Sequence, residues 1–492
     1  MEKFKNAFKE SSIIKFFSKI INKNYQNNFI TKFLDLIYNK SASMLNGLIE
    51  KSDKVRSAID ESMFFNLFKI LTSKTYIING IIIILCMNVP HVKWNNIYIV
   101  IGMFLITLIY YVRNILWKED KFDFKNLGIS FILFVLSTVI ALFVSLDFAS
   151  SVRQFLLYLT GFLAYMNVAC TIKTKKDLIN FCYLLMIMTM FMSLYGLYQN
   201  WVGVEVKEAY VDKELNEGMS GRVYGAVENP NNFAEILLLM IPLCGAIFLG
   251  EKKWRNKIVV AIITLLPIAT MLLTGTRSAW GALGIAAFIF CLLWDKRIVP
   301  IFIIACGCAF AVLPYASPAI YKRVMTIFVS GNDHSMSYRE TIMQATKPVL
   351  RDNFLSGIGM GSNNFSRYIA NNYDFKTSAP PHSHNVYVQV WVELGLIGIV
   401  SFIMMILSSW IYSLKEIFSI KKLKKINPEL YESYNYIKFI LIAGVTSLIG
   451  ICVMGWLDYV LFYPRVMILF FVYLAVIRAA IKIAKQKGED NE

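Results

Sequence analysis

Histidine is scarce in this chain. Four stand among 492 residues: His91, His334, His382 and His384. A zinc-type site drawing on histidine is therefore poorly supplied, and no metal or other cofactor is expected. Charge is thin as well, at 17% of residues against about 25% in soluble domains. The eight cysteines (Cys86, Cys170, Cys182, Cys244, Cys291, Cys306, Cys308 and Cys452) all fall inside apolar runs, away from any histidine pairing. That placement excludes a disulfide scaffold and reads as helix packing. Residues 1–70 are too polar to hold the apolar core of a signal peptide, so none is expected.

What the chain has is apolar length. It is 57% hydrophobic and 14% aromatic. Apolar segments lie near 75–90, 97–112, 127–146, 154–171, 178–198, 231–249, 258–274, 278–294, 298–314, 385–412, 437–456 and 464–481. Each approaches the ~20 residues that cross ~30 Å of hydrocarbon, the first and ninth being short. Open strand edges cannot survive in lipid. The expected fold is an all-α polytopic membrane protein with about twelve transmembrane helices and a large loop containing short helices. The expected division is a basic amphipathic region at 1–74 and spans one to nine at 75–314, interrupted by a loop at 199–230. A large loop at 315–384, spans ten to twelve at 385–481 and a tail at 482–492 complete it.

Lysine and arginine outnumber acidic residues 50 to 33, a net charge of +17. The excess sits in alternate loops: Arg113, Lys118, Lys121 and Lys125; then Lys173, Lys175 and Lys176; then Lys252, Lys253, Arg255 and Lys257; then Lys296 and Arg297; then Lys415, Lys421, Lys422, Lys424 and Lys425. The intervening loops hold few. By the positive-inside rule both termini are expected in the cytoplasm of a plasma-membrane protein, and nucleic acid drops out as a partner. Phe4, Phe8, Ile13, Phe16, Phe17, Ile20 and Ile21, interleaved with lysines, read as a helix lying on an anionic bilayer surface.

The two long loops then face outward, and four features stand at that face. Arg222 precedes Asn229-Pro230-Asn231. Thr274-Gly275-Thr276-Arg277-Ser278 is a hairpin between spans. Arg339 lies in Ser337-Tyr338-Arg339-Glu340, which reads as a capping box opening a helix that runs to Lys347, ahead of Pro348. His384 enters the tenth span. Guanidinium forks bind phosphate bidentately, a helix N-terminus favours anions, and histidine exchanges a proton near neutral pH. Cations with one base suit displacement of a diphosphate by a hydroxyl, without need of a metal. Snorkelling anchors and an ordinary polar loop histidine are the bland alternatives. Gly357-Ile358-Gly359-Met360-Gly361 reads as a turn rather than a phosphate loop, since neither a strand nor a Lys-Ser/Thr flanks it. Glu235 and Glu393 lie inside spans, where helix–helix bonding and substrate contact are equally open.

In order, these elements resemble the O-antigen ligase/polymerase superfamily, over roughly residues 150–480. Arg222 with Asn229-Pro230-Asn231, the Thr274–Ser278 hairpin, Arg339, the 357–361 glycines, and His384-Asn385 followed after nine residues by Gly395-Leu396-Ile397-Gly398 are similar to its motifs. Met343 stands where the family often has tryptophan. The resemblance implies a membrane glycosyltransferase. Its donor would be an undecaprenyl-diphosphate-linked glycan, and its acceptor a glycan, lipid or glycoprotein. It implies His384 as base, Arg277 and Arg339 in catalysis, and Arg222, Asn231, His382 and Asn385 in substrate binding. Either histidine serves as base on this reading, the spacing favouring His384. Ligase and polymerase share the framework. The competing class is a flippase or exporter of lipid-linked sugars, which expects charges midway through the membrane. A shape-and-division type glycan polymerase would instead look to a loop aspartate.

Overall fold

Ten of the described helices are long and apolar enough to cross a membrane. The computed structural model describes residues 29–119, 121–124, 127–204, 221–325, 334–371, 373, 375 and 379–487. Three helices precede the main body: α1 (Phe29–Glu50), α2 (Asp53–Glu61) and α3 (Met63–Leu71). The body runs through α4 (Thr75–Asn88), α5 (Ile97–Trp117), α6 (Ile129–Phe143), α7 (Phe148–Thr171), α8 (Lys175–Val202), α9 (Pro230–Gly250), α10 (Trp254–Leu273), α11 (Arg277–Trp294) and α12 (Val299–Ala316). The large loop holds α13 (Pro318–Met325), α14 (His334–Asp352) and α15 (Ser362–Ala370), and α16 (Val386–Ile426), α17 (Pro428–Met454) and α18 (Pro464–Lys485) close the chain. Every apolar segment read from the sequence is a helix. α4 and α6 fall short of a span at 14 and 15 residues. α4 forms with α3 a pair bent by 70° that qualifies as one broken span.

Helix starts follow side-chain chemistry. Thr174 and Asp177 cap α8 reciprocally. Asp147 caps α7 by accepting from the Ser150 N–H. Asn229 caps α9, whose first residue, Pro230, has no N–H to satisfy. α9, α17 and α18 form the buried centre, with α7 against α18 and α16 against α17, while α12 lies wholly outside the bundle.

Loops 89–96, 144–147, 221–229, 274–276, 379–385 and 455–463 gather at one end, tied by their own bonds. Arg222 Nε donates to the Thr274 carbonyl, the Val386 N–H to the Gly455 carbonyl, and the Asn364 amide to Ser145 Oγ. The lysine-rich loops meet at the opposite end, where Lys252 pairs with Glu432 and Lys482 with Asp123.

Two expectations meet different facts, and a third lies outside the described residues. α14 is described from His334, so Ser337 lies within the helix rather than capping it, and Arg339 sits in its second turn rather than its first. It also continues through Pro348 to Asp352. The lost N–H costs less than the packing gained by Ile342, Ala345 and Val349 against Ile358, Phe365 and Val392. The apolar residues from Phe4 to Ile21 lie outside the described residues. Their continuation, α1, docks on α5 through Asn46 Nδ2 to the Ile115 carbonyl at 2.6 Å, and leaves Phe29, Phe33, Leu36 and Ile37 exposed.

Candidate active site

Two constellations form at the loop-rich end. The first surrounds the 274–277 hairpin. Arg222 is buried, and its Nε donates to the Thr274 carbonyl at 2.8 Å. One terminal nitrogen of Arg222 reaches Asn231 Oδ1 at 2.7 Å and Thr276 Oγ1 at 3.0 Å. Arg277 opens α11 immediately beyond. Arg323, on α13, is buried too, and its Nε donates to the Gly275 carbonyl at 3.3 Å. Burial, then the charges of Arg323 and Arg277, push the Arg222 guanidinium down to about 10. The guanidinium groups of Arg222 and Arg323 thus meet at the hairpin that leads into Arg277. Sequence reasoning passed over Arg323, which follows Lys322 just after a span and looks like a flanking charge.

The second constellation joins the entry of α16 to the α17–α18 loop. His384 Nδ1 lies 3.4 Å from Asp458 Oδ1. Burial pushes the Asp458 carboxyl up. The His384 hydrogen bond and the charges of His384, His382 and Arg339 outweigh it and hold Asp458 below the usual carboxylate range. An ionised Asp458 fixes the His384 proton on Nδ1 and leaves Nε2 with its lone pair. Tyr338 flanks His384, their ring centres 6.4 Å apart, and Arg339 is near enough to act on both His382 and Asp458. Asp458 escaped the sequence reading because 74 positions separate it from His384.

His384 takes φ +51°, in the left-handed region that costs a non-glycine residue about 1–2 kcal/mol. Its neighbours over-determine that shape. Asn385 Oδ1 accepts from the Tyr387 and Val388 N–H groups at 3.0 Å, and its amide donates to the Trp456 carbonyl at 3.2 Å. The side chain of Asn385, expected to bind substrate, is thus engaged as a helix cap and a tether to the Asp458 loop. Asn231 is likewise engaged in holding Arg222.

His382 is buried beside Phe462 and Tyr459. Burial, then the His384 and Arg339 charges, push its imidazole down to about 3. Its Nδ1 accepts from the His384 backbone N–H at 3.2 Å, so the neutral ring carries its proton on Nε2. Ligand atoms of His382, His384 and Asp458 lie within 4.8 Å of one another, a set whose spacing suits a metal ion. Ligation through Nε2 of His382 would compete with the bond at its Nδ1.

The glycine-rich stretch supports these groups. A Cβ on Gly357 would sit 2.7 Å from the Glu393 carbonyl oxygen, and one on Gly395, at φ +67°, 2.1 Å from the Leu355 carbonyl oxygen. Only glycine lets the two backbones meet. The meeting point is a break in α16, crossed by Ile358 N–H to the Val392 carbonyl and Leu396 N–H to the Leu355 carbonyl.

Residues 260–403 match the family model described as O-antigen ligase. Over those residues the chain is similar to the O-antigen ligases. No curated protein matches the sequence. The matched segment begins within α10 and ends within α16, taking in Arg277, Arg323, Arg339, His382 and His384. Arg222 and Asp458 lie outside the match and reach the matched segment through the fold. With ten described helices long and apolar enough to cross a membrane, the chain is a multi-pass membrane protein.

Proposed function

We propose that the protein transfers a glycan from undecaprenyl diphosphate to an acceptor hydroxyl at the outer face of the plasma membrane, with both termini cytoplasmic. The observation that carries this reading is the His384–Asp458 pair beside Arg339, at the same end as the guanidinium groups of Arg222, Arg277 and Arg323. The acceptor O–H gives its proton to Nε2 of His384 while its oxygen forms a bond to the anomeric carbon. The bond from that carbon to the phosphate oxygen breaks, and undecaprenyl diphosphate leaves with the electron pair. Asp458 orients the ring and balances the imidazolium. The arginines hold the diphosphate and neutralise the charge gathering on it. Cations and base suffice for this chemistry, so the reaction proceeds without a metal.

The test uses purified full-length protein in liposomes with an undecaprenyl-diphosphate oligosaccharide and a chelator. Free undecaprenyl diphosphate should appear. A ladder of longer glycans identifies a polymerase, and release only on adding a separate acceptor identifies a ligase. Lipid that changes leaflet without being cleaved would overturn the reading in favour of a transporter.

A further inference from the structure

Glu393 lies nine residues beyond His384, inside α16, and is buried just before the break at Gly395. A carboxyl group in a membrane interior is expensive unless its oxygens are engaged. Both are. Oε1 accepts from Gln389 Nε2 at 3.0 Å, and Oε2 accepts from the Tyr459 hydroxyl at 3.2 Å.

Each partner leads to one member of the histidine–aspartate pair. Gln389 Oε1 accepts from the Ser383 backbone N–H at 2.7 Å, and Ser383 immediately precedes His384. Tyr459 immediately follows Asp458, its own N–H donates to Asp458 Oδ1 at 2.8 Å, and its hydroxyl lies 3.0 Å from that of Tyr158 on α7. Gln389, Ser383, Tyr158 and Tyr459 are all buried. The segments bearing His384 and Asp458 come from different loops and are not continuous in sequence. Glu393 is the shared acceptor between them.

We propose that Glu393 is a positioning residue: by accepting from Gln389 and Tyr459 it sets the separation of His384 and Asp458. This rests on the transferase reading above. Glu393 touches neither donor nor acceptor, and its effect passes through the pair it aligns.

A double-mutant cycle in the transfer assay tests it, using Glu393→Leu, Asp458→Asn and the combination. Leucine suits an apolar membrane core, so insertion should survive, and thermal melting verifies the fold. Glu393→Leu should lower kcat at least tenfold with the donor KM within twofold of wild type. It should also alter the pH profile of kcat, because His384 and Asp458 are then less well aligned. Glu393→Gln keeps one acceptor oxygen and should fall between wild type and leucine. The double variant should be no slower than Asp458→Asn alone. If the effects multiply, or Glu393→Leu leaves kcat and the pH profile unmoved while Asp458→Asn cuts kcat, the positioning role is wrong and the transferase reading stands. If Asp458→Asn itself has no effect, the catalytic pair is wrong, and the positioning role goes with it. Should leucine fail to fold, Glu393→Gln carries the same cycle with Asp458→Asn.

Discussion

The backbone N–H of His384 donates to Nδ1 of His382 at 3.2 Å, and this one bond sorts the two histidines. It consumes the free lone pair of His382 and leaves that ring a donor at Nε2. His384, paired at Nδ1 with Asp458, keeps the lone pair a general base needs.

Replacing the two rings should therefore give unequal results. His384→Ala should cut transfer by about 10²–10⁴-fold, the usual contribution of a positioned base. His382→Gln, which keeps a donor in the same pocket, should retain far more activity. Rates with a defined lipid-linked oligosaccharide decide this. Equal losses would mean that His384 is not the base.

His382 also ties stability to pH. Its imidazole is pushed from 6.5 down to about 3 by burial, so the unfolded chain binds a proton there that the fold refuses. The fold's advantage is full above about 6.5 and is lost as pH falls toward about 3. Between those values His382 should account for up to about 1.4 kcal/mol per pH unit. Melting temperatures of detergent-solubilised protein from pH 7 to pH 4 should fall more steeply for wild type than for His382→Gln.

Arg222→Lys should behave as a severe change. The guanidinium contacts Thr274, Asn231 and Thr276 at once, and an ammonium group cannot span that fork. The donor KM should rise tenfold or more, with a smaller change in kcat at saturation. Arg323→Ala should also raise the donor KM, because its guanidinium meets the same hairpin at Gly275. A donor titration with each variant measures both.

Arg465 should matter for folding rather than turnover. It is wholly buried at the start of α18 and donates to the carbonyls of Met87, Val89 and Ala226, at the end of α4 and in the Arg222 loop. Arg465→Met would strand those carbonyls and cost at least about 3 kcal/mol. Yield and melting temperature should drop together, while any folded fraction keeps a donor KM near wild type.

Helix placement was legible in the sequence because lipid demands long apolar runs with internally bonded backbone, and that demand is local. Arg222, Arg277, Arg339 and His384 drew notice in the sequence because cations and histidines stand out in loops of low charge. The start of α14 misled, since Ser337 and Glu340 satisfy a capping pattern that packing further along the helix overrides. Asp458 and Arg323 left no local signal. An aspartate in a short loop and an arginine after a span look the same whether or not they face a site.

The sequence by itself therefore determined the membrane fold, the segregation of lysine and arginine to alternate loops and the types of group available for chemistry, because each rests on hydrophobicity and charge read residue by residue. Tertiary structure alone decided which histidine keeps its lone pair, which carboxylate pairs with it, and that Glu393 joins the two loops. Those facts depend on distances between backbones that come together only when α16, α17 and α18 pack.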